Sequence, residues 1–387
     1  MRRCRHESAG VVRLPAEPGR PGHAGRSAAA GLEKIGVETR PAPFEGAQEK
    51  EWYYRWFKPD AVVGIGWWGH SPDIVLHPMR FGLPTVPWLV ADGFIANYHE
   101  VLGSLPLMFA TSQWVKDTYK RDGVSVDNMK VVPIGCDTDV FRPIPRSDPR
   151  VKAVRDSLGV KPDEKLILTI GGDAASKGAQ EVMQALALIS RECSNWKYVC
   201  KVWPQPRTNR QTRQDMELIR QLGLSDRVVF ARGQFSRNFV PYLMNACDIY
   251  AAPSRLEGYG MPMIEAQACE KPVISVAAMG MLDTIKHEHT GLLARVAQEI
   301  TISEATLTSD MGFRTRKDII FPEPKTVAIR ANVNDLAAYF KRLLTEDDTC
   351  KNMGAEGRRN VVENFHYIDV AERVANELSD TFDLTFP

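Results

Sequence analysis

Several features are absent or scarce in this chain of 387 residues. No apolar run approaches the ~20 residues that a membrane-spanning helix needs. Its seven cysteines include no C-x-x-C pair, which argues against a zinc site or a disulfide framework and favours a reduced cytosolic protein with buried thiols. The net charge is only +1, whereas a nucleic-acid-binding protein normally shows a concentrated basic surface.

Length and composition predict a globular protein of about two domains. Hydrophobic residues make up 44% of the chain, enough to bury a substantial core. The first thirty residues are different, because they contain six arginines and no strand pattern beyond Val11-Val12. They lack the apolar core of a signal peptide. A basic arm that touches a membrane is one interpretation, and a poorly ordered or altered terminus is the favoured one.

From Gly31 onward, strands and helices alternate, which predicts an α/β fold with parallel sheets. Ser112 is positioned to cap a helix that ends at Arg121. A proline- and charge-rich connection up to Arg150 suggests a domain boundary. We therefore expect domains at 1–144 and 145–365, with the first completed by a C-terminal helix at 366–387. The predicted strands are Ala61–Ile65, Thr85–Val90, Leu107–Ala110, Lys130–Pro133, Leu166–Ile170, Tyr198–Trp203, Val228–Phe230, Ile249–Ala252 and Val273–Val276. Residues 297–326 fit no clean pattern and are interpreted as an insertion.

The most informative segment runs from Arg255 to Glu265, with the sequence RLEGYGMPMIE. It follows an apolar strand, contains a glycine turn and begins a helix near Pro262, a residue suited to the first helical position. Free backbone N–H groups at such a helix start favour an anion. Glu257 then lies in the turn, and Glu265 lies inside the helix.

This segment resembles the paired-Glu motif of family 4 retaining glycosyltransferases, also described as glycosyl transferases group 1. The surrounding residues 239–293 match the family in order, including FVPYLMNACD, IYAAPSR, AQACEKPVIS and TGLL. The resemblance implies the GT-B fold, in which two Rossmann-like domains face one another across a cleft. It also implies transfer of a sugar from a UDP- or GDP-linked donor to a sugar, glycan or lipid-linked acceptor. Peripheral membrane contact is compatible with it.

The resemblance also implies roles for individual residues. Glu257 and Lys177 are catalytic candidates on this basis, with Glu257 orienting the donor sugar and Lys177 neutralising a phosphate. Asp92, where the sequence departs from the family, is the third catalytic candidate. Glu265 would hold the nucleotide ribose. The donor-binding candidates are Gly172, Lys177, Arg232, Gly258, Tyr259, Gly260, Met261 and Glu265.

The sequence departs from the family at three places. Gly172 stands where the family usually has an arginine, so another cation must supply that charge; Arg232 is favoured over Arg255, Arg207 and Arg210. Asp92 lies where a histidine is common, and a carboxylate can support an oxocarbenium-like centre. An Asp in a turn is the alternative interpretation of Asp92, and His70, His99, Trp67 and Trp68 are other candidates near the sugar. The acceptor loop is marked only by Gly22 and Gly25, before a helix predicted at Ser27–Ile35.

No metal or other cofactor is expected. The Asp137-Thr138-Asp139 sequence is rejected as a metal site because it belongs to GCDTDVFRP, which resembles the inter-domain segment of GT-B proteins. Two alternative functions stay open: a nucleotide-sugar 2-epimerase of the same architecture, and a GT-B protein that binds nucleotide without turnover.

Overall fold

The computed structural model describes residues 11–13, 23–42, 46–67, 72–91, 93–171, 175–203, 206–308 and 315–386. The chain forms two compact units, one comprising residues 1–137, 302–325 and 365–387 and the other residues 138–301 and 326–364. Each unit is built on its own sheet, and the strands of each sheet pair in parallel. The predicted α/β class is therefore confirmed.

The sheet of the first unit has five strands, which lie in chain order. They are β1 (Val11–Arg13), β2 (Val62–Trp67), β3 (Thr85–Val90), β4 (Met108–Ala110) and β5 (Met129–Val131). The helices between them are α1 (His23–Lys34), α2 (Ala47–Trp56), α3 (Asp73–Arg80), α4 (His99–Gly103) and α5 (Gln113–Arg121).

Local sequence signals explain several of these boundaries. Ser112 caps α5 as predicted, because its hydroxyl accepts a hydrogen bond from the Val115 amide at 3.2 Å. Five of the six residues of β3 are buried, as expected for a strand covered on both faces. The interpretation of Gly25 as part of a loop is wrong, because this residue lies inside α1. Gly22 lies outside the described residues.

The sheet of the second unit has six strands in the order β11-β10-β9-β6-β7-β8. In chain order they are β6 (Lys165–Ile170), β7 (Trp196–Val202), β8 (Val228–Arg232), β9 (Ile249–Ala251), β10 (Val273–Val276) and β11 (Gly291–Ala294). The helices that alternate with them are α6 (Pro149–Ser157), α7 (Ala179–Ile189), α8 (Pro206–Gln221), α9 (Val240–Ala246), α10 (Met261–Ala268) and α11 (Met281–Thr284).

The remaining elements follow β11. Strands β12 (Val296–Leu307) and β13 (Lys317–Ala331) pair with each other and account for most of the predicted insertion. Their side chains are mostly exposed or half-buried, so the apolar pattern that marks a core strand is missing. Three helices end the chain: α12 (Val333–Thr345), α13 (Asp347–Asn364) and α14 (Tyr367–Phe382). Helix α14 packs against α1 within the first unit.

The six cysteines within the described ranges are free thiols, and four of them are buried. Burial raises the pKa of the Cys200 and Cys269 thiols to about 12, so both stay protonated and unreactive at neutral pH. Among the helices that the structure describes, none combines the length and the apolar composition of a membrane span.

Candidate active site

Lys177 and Glu257 meet at the carboxyl edge of the second sheet. Lys177 lies in the segment after β6, and Glu257 lies in the segment after β9, the neighbouring strand. The Lys177 Nζ is 2.5 Å from the Glu257 Oε2, and the two side chains are 23% and 16% exposed. Open parallel sheets bind ligands at this edge. The two residues predicted from separate motifs therefore lie together in one candidate site.

Close backbone packing brings the two segments together. Gly178 has φ +74°, and a Cβ at this position would lie 2.1 Å from the Pro253 carbonyl oxygen. Only glycine is compatible with both the left-handed backbone and this contact. The Arg255 amide also donates a hydrogen bond to the Ser176 carbonyl at 2.9 Å. These contacts fix the segment that carries Lys177 against the segment that carries Glu257.

The Glu257 carboxylate also caps the turn before α10. Its Oε1 accepts hydrogen bonds from the Gly260 amide at 3.1 Å and from the Tyr259 amide at 3.5 Å. The sequence analysis expected the N–H groups at this helix start to be free for an anion. That expectation is wrong for Gly260, because Glu257 itself supplies the negative charge there. The Glu257 carboxylate is therefore held from two sides, by Lys177 and by the turn.

Gly280 fixes the backbone of Glu257 from a third direction. Its amide donates to the Glu257 carbonyl at 3.2 Å. A Cβ on Gly280 would lie 2.1 Å from the Gly258 carbonyl oxygen, so this approach requires glycine. The turn is therefore clamped before any ligand binds.

Glu265 lies inside α10 and is buried, with 9% of the residue exposed. Burial raises the pKa of its carboxyl to about 8, and the positive charge of Arg237 opposes that rise. Among the described residues, no donor forms a hydrogen bond with this carboxyl. A buried polar group normally has a hydrogen-bond partner. The side chain is therefore suited to accept hydrogen bonds from a ligand.

Arg255, one of the candidate cations, is already neutralised. Its guanidinium binds the Glu181 carboxylate, with Nη2 at 3.0 Å from Oε1, and Glu181 is 2% exposed. The same carboxylate binds Arg330 at 2.7 Å. Arg255 therefore braces the Glu257 segment against α7, and we assign it no phosphate.

The other donor-binding candidates differ in their burial and in their position in the fold. Gly258 and Tyr259 are buried in the turn, and Met261 is the half-buried first residue of α10. Arg232 is exposed at the end of β8, the strand at one border of the sheet. Gly172 and Asp92 lie outside the described residues, as do the side chains of Arg207 and Arg210.

The alternative candidates near the sugar are mostly outside the described part of the chain. This holds for Trp68 and His70 and for the side chain of Trp67. His99 is described, and its Nε2 bonds the Asp122 carbonyl at 2.9 Å, which anchors α4. Its role there is structural.

Sequence reasoning missed Arg237, Glu181 and Lys201. Arg237 and Glu181 carry no local signal, because each acts on a residue far away in the chain. Lys201 did carry one, since it interrupts the otherwise apolar run of β7 and is only 7% exposed. Within the described ranges, no group of three or more His, Cys, Asp or Glu side chains is arranged to hold a metal ion.

The comparison with protein families decides what this site belongs to. The family model described as glycosyl transferases group 1 matches residues 151–309, a range that contains Lys177, Glu257 and Glu265. Residues 151–309 are a group 1 glycosyltransferase domain. The predicted family is therefore confirmed for these residues.

Curated relatives agree with this assignment. The D-inositol 3-phosphate glycosyltransferase of Xylanimonas cellulosilytica is 30% identical over 57% of this chain and 53% of its own length. The MMP alpha-(1->4)-mannosyltransferase of Mycolicibacterium hassiacum is 25% identical over 72% of this chain and 55% of its own length. The chain thus spans about half the length of the curated relatives it matches.

Solved structures extend the fold beyond the group 1 domain. HepE from Anabaena, solved with UDP and glucose, matches with a TM-score of 0.70 at 16% identity over 96% of this chain and 100% of its own. Sucrose-phosphate synthase from Thermosynechococcus elongatus matches with a TM-score of 0.72 at 17% identity over 98% of this chain and 100% of its own. The fold is therefore that of the GT-B glycosyltransferases.

Proposed function

We propose that this chain is a retaining glycosyltransferase that moves a sugar from a nucleotide-diphosphate sugar to an acceptor hydroxyl without a metal ion. One observation carries the proposal: a lysine and a carboxylate are clamped together near a buried carboxyl that has no donor among the described residues. Such a site offers a cation for a diphosphate and acceptors for sugar hydroxyls.

The reaction breaks the bond between the anomeric carbon and the β-phosphate oxygen and forms a bond to the acceptor oxygen. The acceptor attacks the face that the nucleotide leaves, and its proton passes to the departing diphosphate. Lys177 stabilises the negative charge that develops on that diphosphate. Glu257 orients the donor sugar through its hydroxyl groups, and Asp92 supports the positive charge at the anomeric centre.

The nucleotide is held mainly by the second unit. Glu265 accepts hydrogen bonds from the ribose hydroxyls, and the turn Gly258–Met261 lines the diphosphate. Arg232, which the sequence analysis favoured, is the candidate for a further phosphate contact. HepE was solved with UDP and with UDP-glucose, which supports a nucleotide-sugar donor here. We propose that this donor is UDP- or GDP-linked. The acceptor is a sugar, glycan or lipid-linked hydroxyl. We also propose a cytoplasmic location, because buried free cysteines suit a compartment in which thiols stay reduced.

A binding panel followed by product analysis tests the function. UDP-, GDP- and ADP-sugars are compared for their effect on the unfolding temperature, since a ligand that binds the folded state raises it. The donor that binds is then incubated alone and with candidate acceptors in EDTA, and the products are followed by NMR. Slow donor hydrolysis and transfer with the anomeric configuration kept support the proposal. Formation of an epimer from the donor alone, or binding without turnover, would contradict it.

The pKa of Glu265 predicts how donor binding depends on pH. The ionised carboxylate accepts hydrogen bonds from both ribose hydroxyls, but with a pKa of about 8 only a small fraction is ionised at pH 6.5. We expect the affinity for the donor to rise about 10-fold between pH 6.5 and 8.5 in the wild type. Glu265→Gln should bind the donor about 10-fold more weakly than the wild type at pH 8.5 and show no such rise.

Isothermal titration calorimetry with a nucleotide sugar measures this pH dependence of donor affinity, because the diphosphate of the ligand carries no group that titrates in that range.

The free energy of unfolding, measured as a function of pH, provides a second test. The raised pKa of Glu265 favours the folded state fully below the ordinary carboxyl pKa, and this stabilisation is lost as the pH rises to about 8. Glu265→Gln should lack this decline. Equal pH profiles in the two proteins would contradict the role of Glu265.

A further inference from the structure

One buried carboxylate in the second unit binds two arginines. Glu181 lies in the first turn of α7 and is 2% exposed. Its Oε1 accepts hydrogen bonds from Arg255 Nη2 at 3.0 Å and from Arg330 Nη1 at 2.7 Å, and its Oε2 accepts from Arg255 Nη2 at 3.1 Å. A buried charge is tolerated when it is paired and hydrogen-bonded. The carboxylate therefore keeps both guanidinium groups in place.

Arg255 connects this carboxylate to the segments that carry Lys177 and Glu257. Its amide donates to the carbonyl of Ser176, the residue directly before Lys177, at 2.9 Å. Its own carbonyl accepts from the Ile329 amide at 2.8 Å. Glu257 follows Arg255 by two positions. The backbone and the side chain of Arg255 are thus both fixed close to the two residues of the ion pair.

Strand β13 supplies two of these bonds. Ile329 and Arg330 lie near its end, where Ile329 is 3% exposed, whereas most earlier residues of the strand are exposed or half-buried. One of the two binds the Arg255 backbone and the other binds the Glu181 carboxylate. The end of β13 therefore supports the Glu257 segment.

We propose that Glu181 is a positioning residue for Glu257. It holds Arg255, and Arg255 fixes the start of the turn from which the Glu257 carboxylate reaches the donor sugar. Arg330 supports Glu181 from β13. Each of these side chains acts through the next one, and a small displacement of a group that contacts the substrate is enough to slow a reaction strongly. This inference rests on the proposed function and adds to it the residues that keep its sugar-binding carboxylate in place.

A double-mutant cycle tests whether Glu181 acts through Glu257. Glu181→Gln and Arg330→Met are each made in the wild type and in Glu257→Gln. The substrate is the nucleotide sugar that the panel of UDP-, GDP- and ADP-sugars selects. For every variant we measure kcat for donor consumption, calorimetric affinity for UDP or GDP, and the unfolding temperature.

Asp248→Asn is the matched control for Glu181→Gln. Asp248 also binds two arginines, Arg155 at 3.1 Å and Arg146 at 3.6 Å, and its side chain is 18% exposed. It directly precedes β9 and so lies at the amino edge of the sheet, opposite to the candidate site. Its replacement should lower the unfolding temperature and leave kcat unchanged.

Arg342→Met is the matched control for Arg330→Met. The Arg342 side chain is 36% exposed and pairs with Glu288 at 2.5 Å, and the Arg330 side chain is 39% exposed. The two variants therefore remove one half-exposed ion pair each. Only the loss of Arg330 should change kcat.

We expect Glu181→Gln to lower kcat about 10-fold in the wild type, because the turn that presents Glu257 shifts. In Glu257→Gln the same change should lower kcat by less than about 2-fold, since the carboxylate that it positions is already gone. Arg330→Met should lower kcat only about 3-fold, because Arg255 still binds Glu181. Affinity for UDP or GDP should stay that of the wild type in both variants.

An equal loss of kcat in the two backgrounds overturns the inference, and so does an unchanged kcat for Glu181→Gln in the wild type. If Glu181→Gln does not fold, Arg330→Met decides by the same comparison. A Glu257→Gln variant with the kcat of the wild type contradicts the proposed role of Glu257. A wild type that consumes no nucleotide sugar contradicts the proposed function. In either case this inference falls as well.

Discussion

Replacing Lys177 with methionine should lower kcat/KM for the nucleotide sugar by about 100- to 1,000-fold, the range seen when a group that stabilises developing negative charge is removed. The departing diphosphate would lose the cation closest to Glu257. The Glu257 carboxylate would also lose its ion-pair partner, and it is only 16% exposed. Initial rates of donor consumption at low donor concentration measure the effect.

The control for Lys177→Met is Lys152→Met. Lys152 is exposed on α6 and pairs with Asp156 on the same helix, at 3.9 Å. Its replacement should leave the rate unchanged. A loss smaller than about 5-fold for Lys177→Met, in a protein that unfolds at the wild-type temperature, would show that the leaving group does not depend on this lysine.

Glu257→Gln is expected to separate turnover from nucleotide binding. The amide keeps the size of the side chain and can still accept from the turn, but it cannot hold sugar hydroxyls with a negative charge. We expect kcat to fall about 100-fold. Affinity for UDP or GDP should stay the same or increase, because Lys177 is released from the 2.5 Å ion pair and becomes available to phosphate.

Steady-state rates and calorimetric titration of the nucleotide distinguish the two effects of Glu257→Gln. Glu217→Gln is the control, since Glu217 forms an exposed ion pair with Arg220 on α8. The assignment of Glu257 to the sugar would be wrong if the variant lost nucleotide affinity while its kcat stayed near that of the wild type.

Most of the fold could be predicted from local patterns. The apolar runs at Thr85–Val90 and Val273–Val276 are strands with the predicted bounds, and the Ser112 cap begins the predicted helix. Burial on both faces makes such strands continuously apolar, which is why they are easy to find. The strands β12 and β13 were not predicted, because exposed strands do not need to be continuously apolar.

The candidate site was only partly predictable. The order of residues 255–265 predicted Glu257 and Glu265 as site residues, and the Lys-Gly step at 177–178 after an apolar strand predicted Lys177. The buried Glu181 beneath Arg255 could not be predicted, since 74 residues separate the two. For the same reason the sequence offered Arg255 as a free cation, whereas the fold uses it as a brace.

The amino-acid sequence by itself determined the α/β class, the family of residues 151–309 and the carboxylates of the motif, because these depend on periodicity and on short runs of neighbouring residues. Tertiary structure decided which charges meet. Strand order places β6 between β9 and β7, so Lys177 pairs with Glu257 while Lys201 lies on the opposite side. Electrostatic interaction depends on distance through space and on burial, and neither follows from separation along the chain.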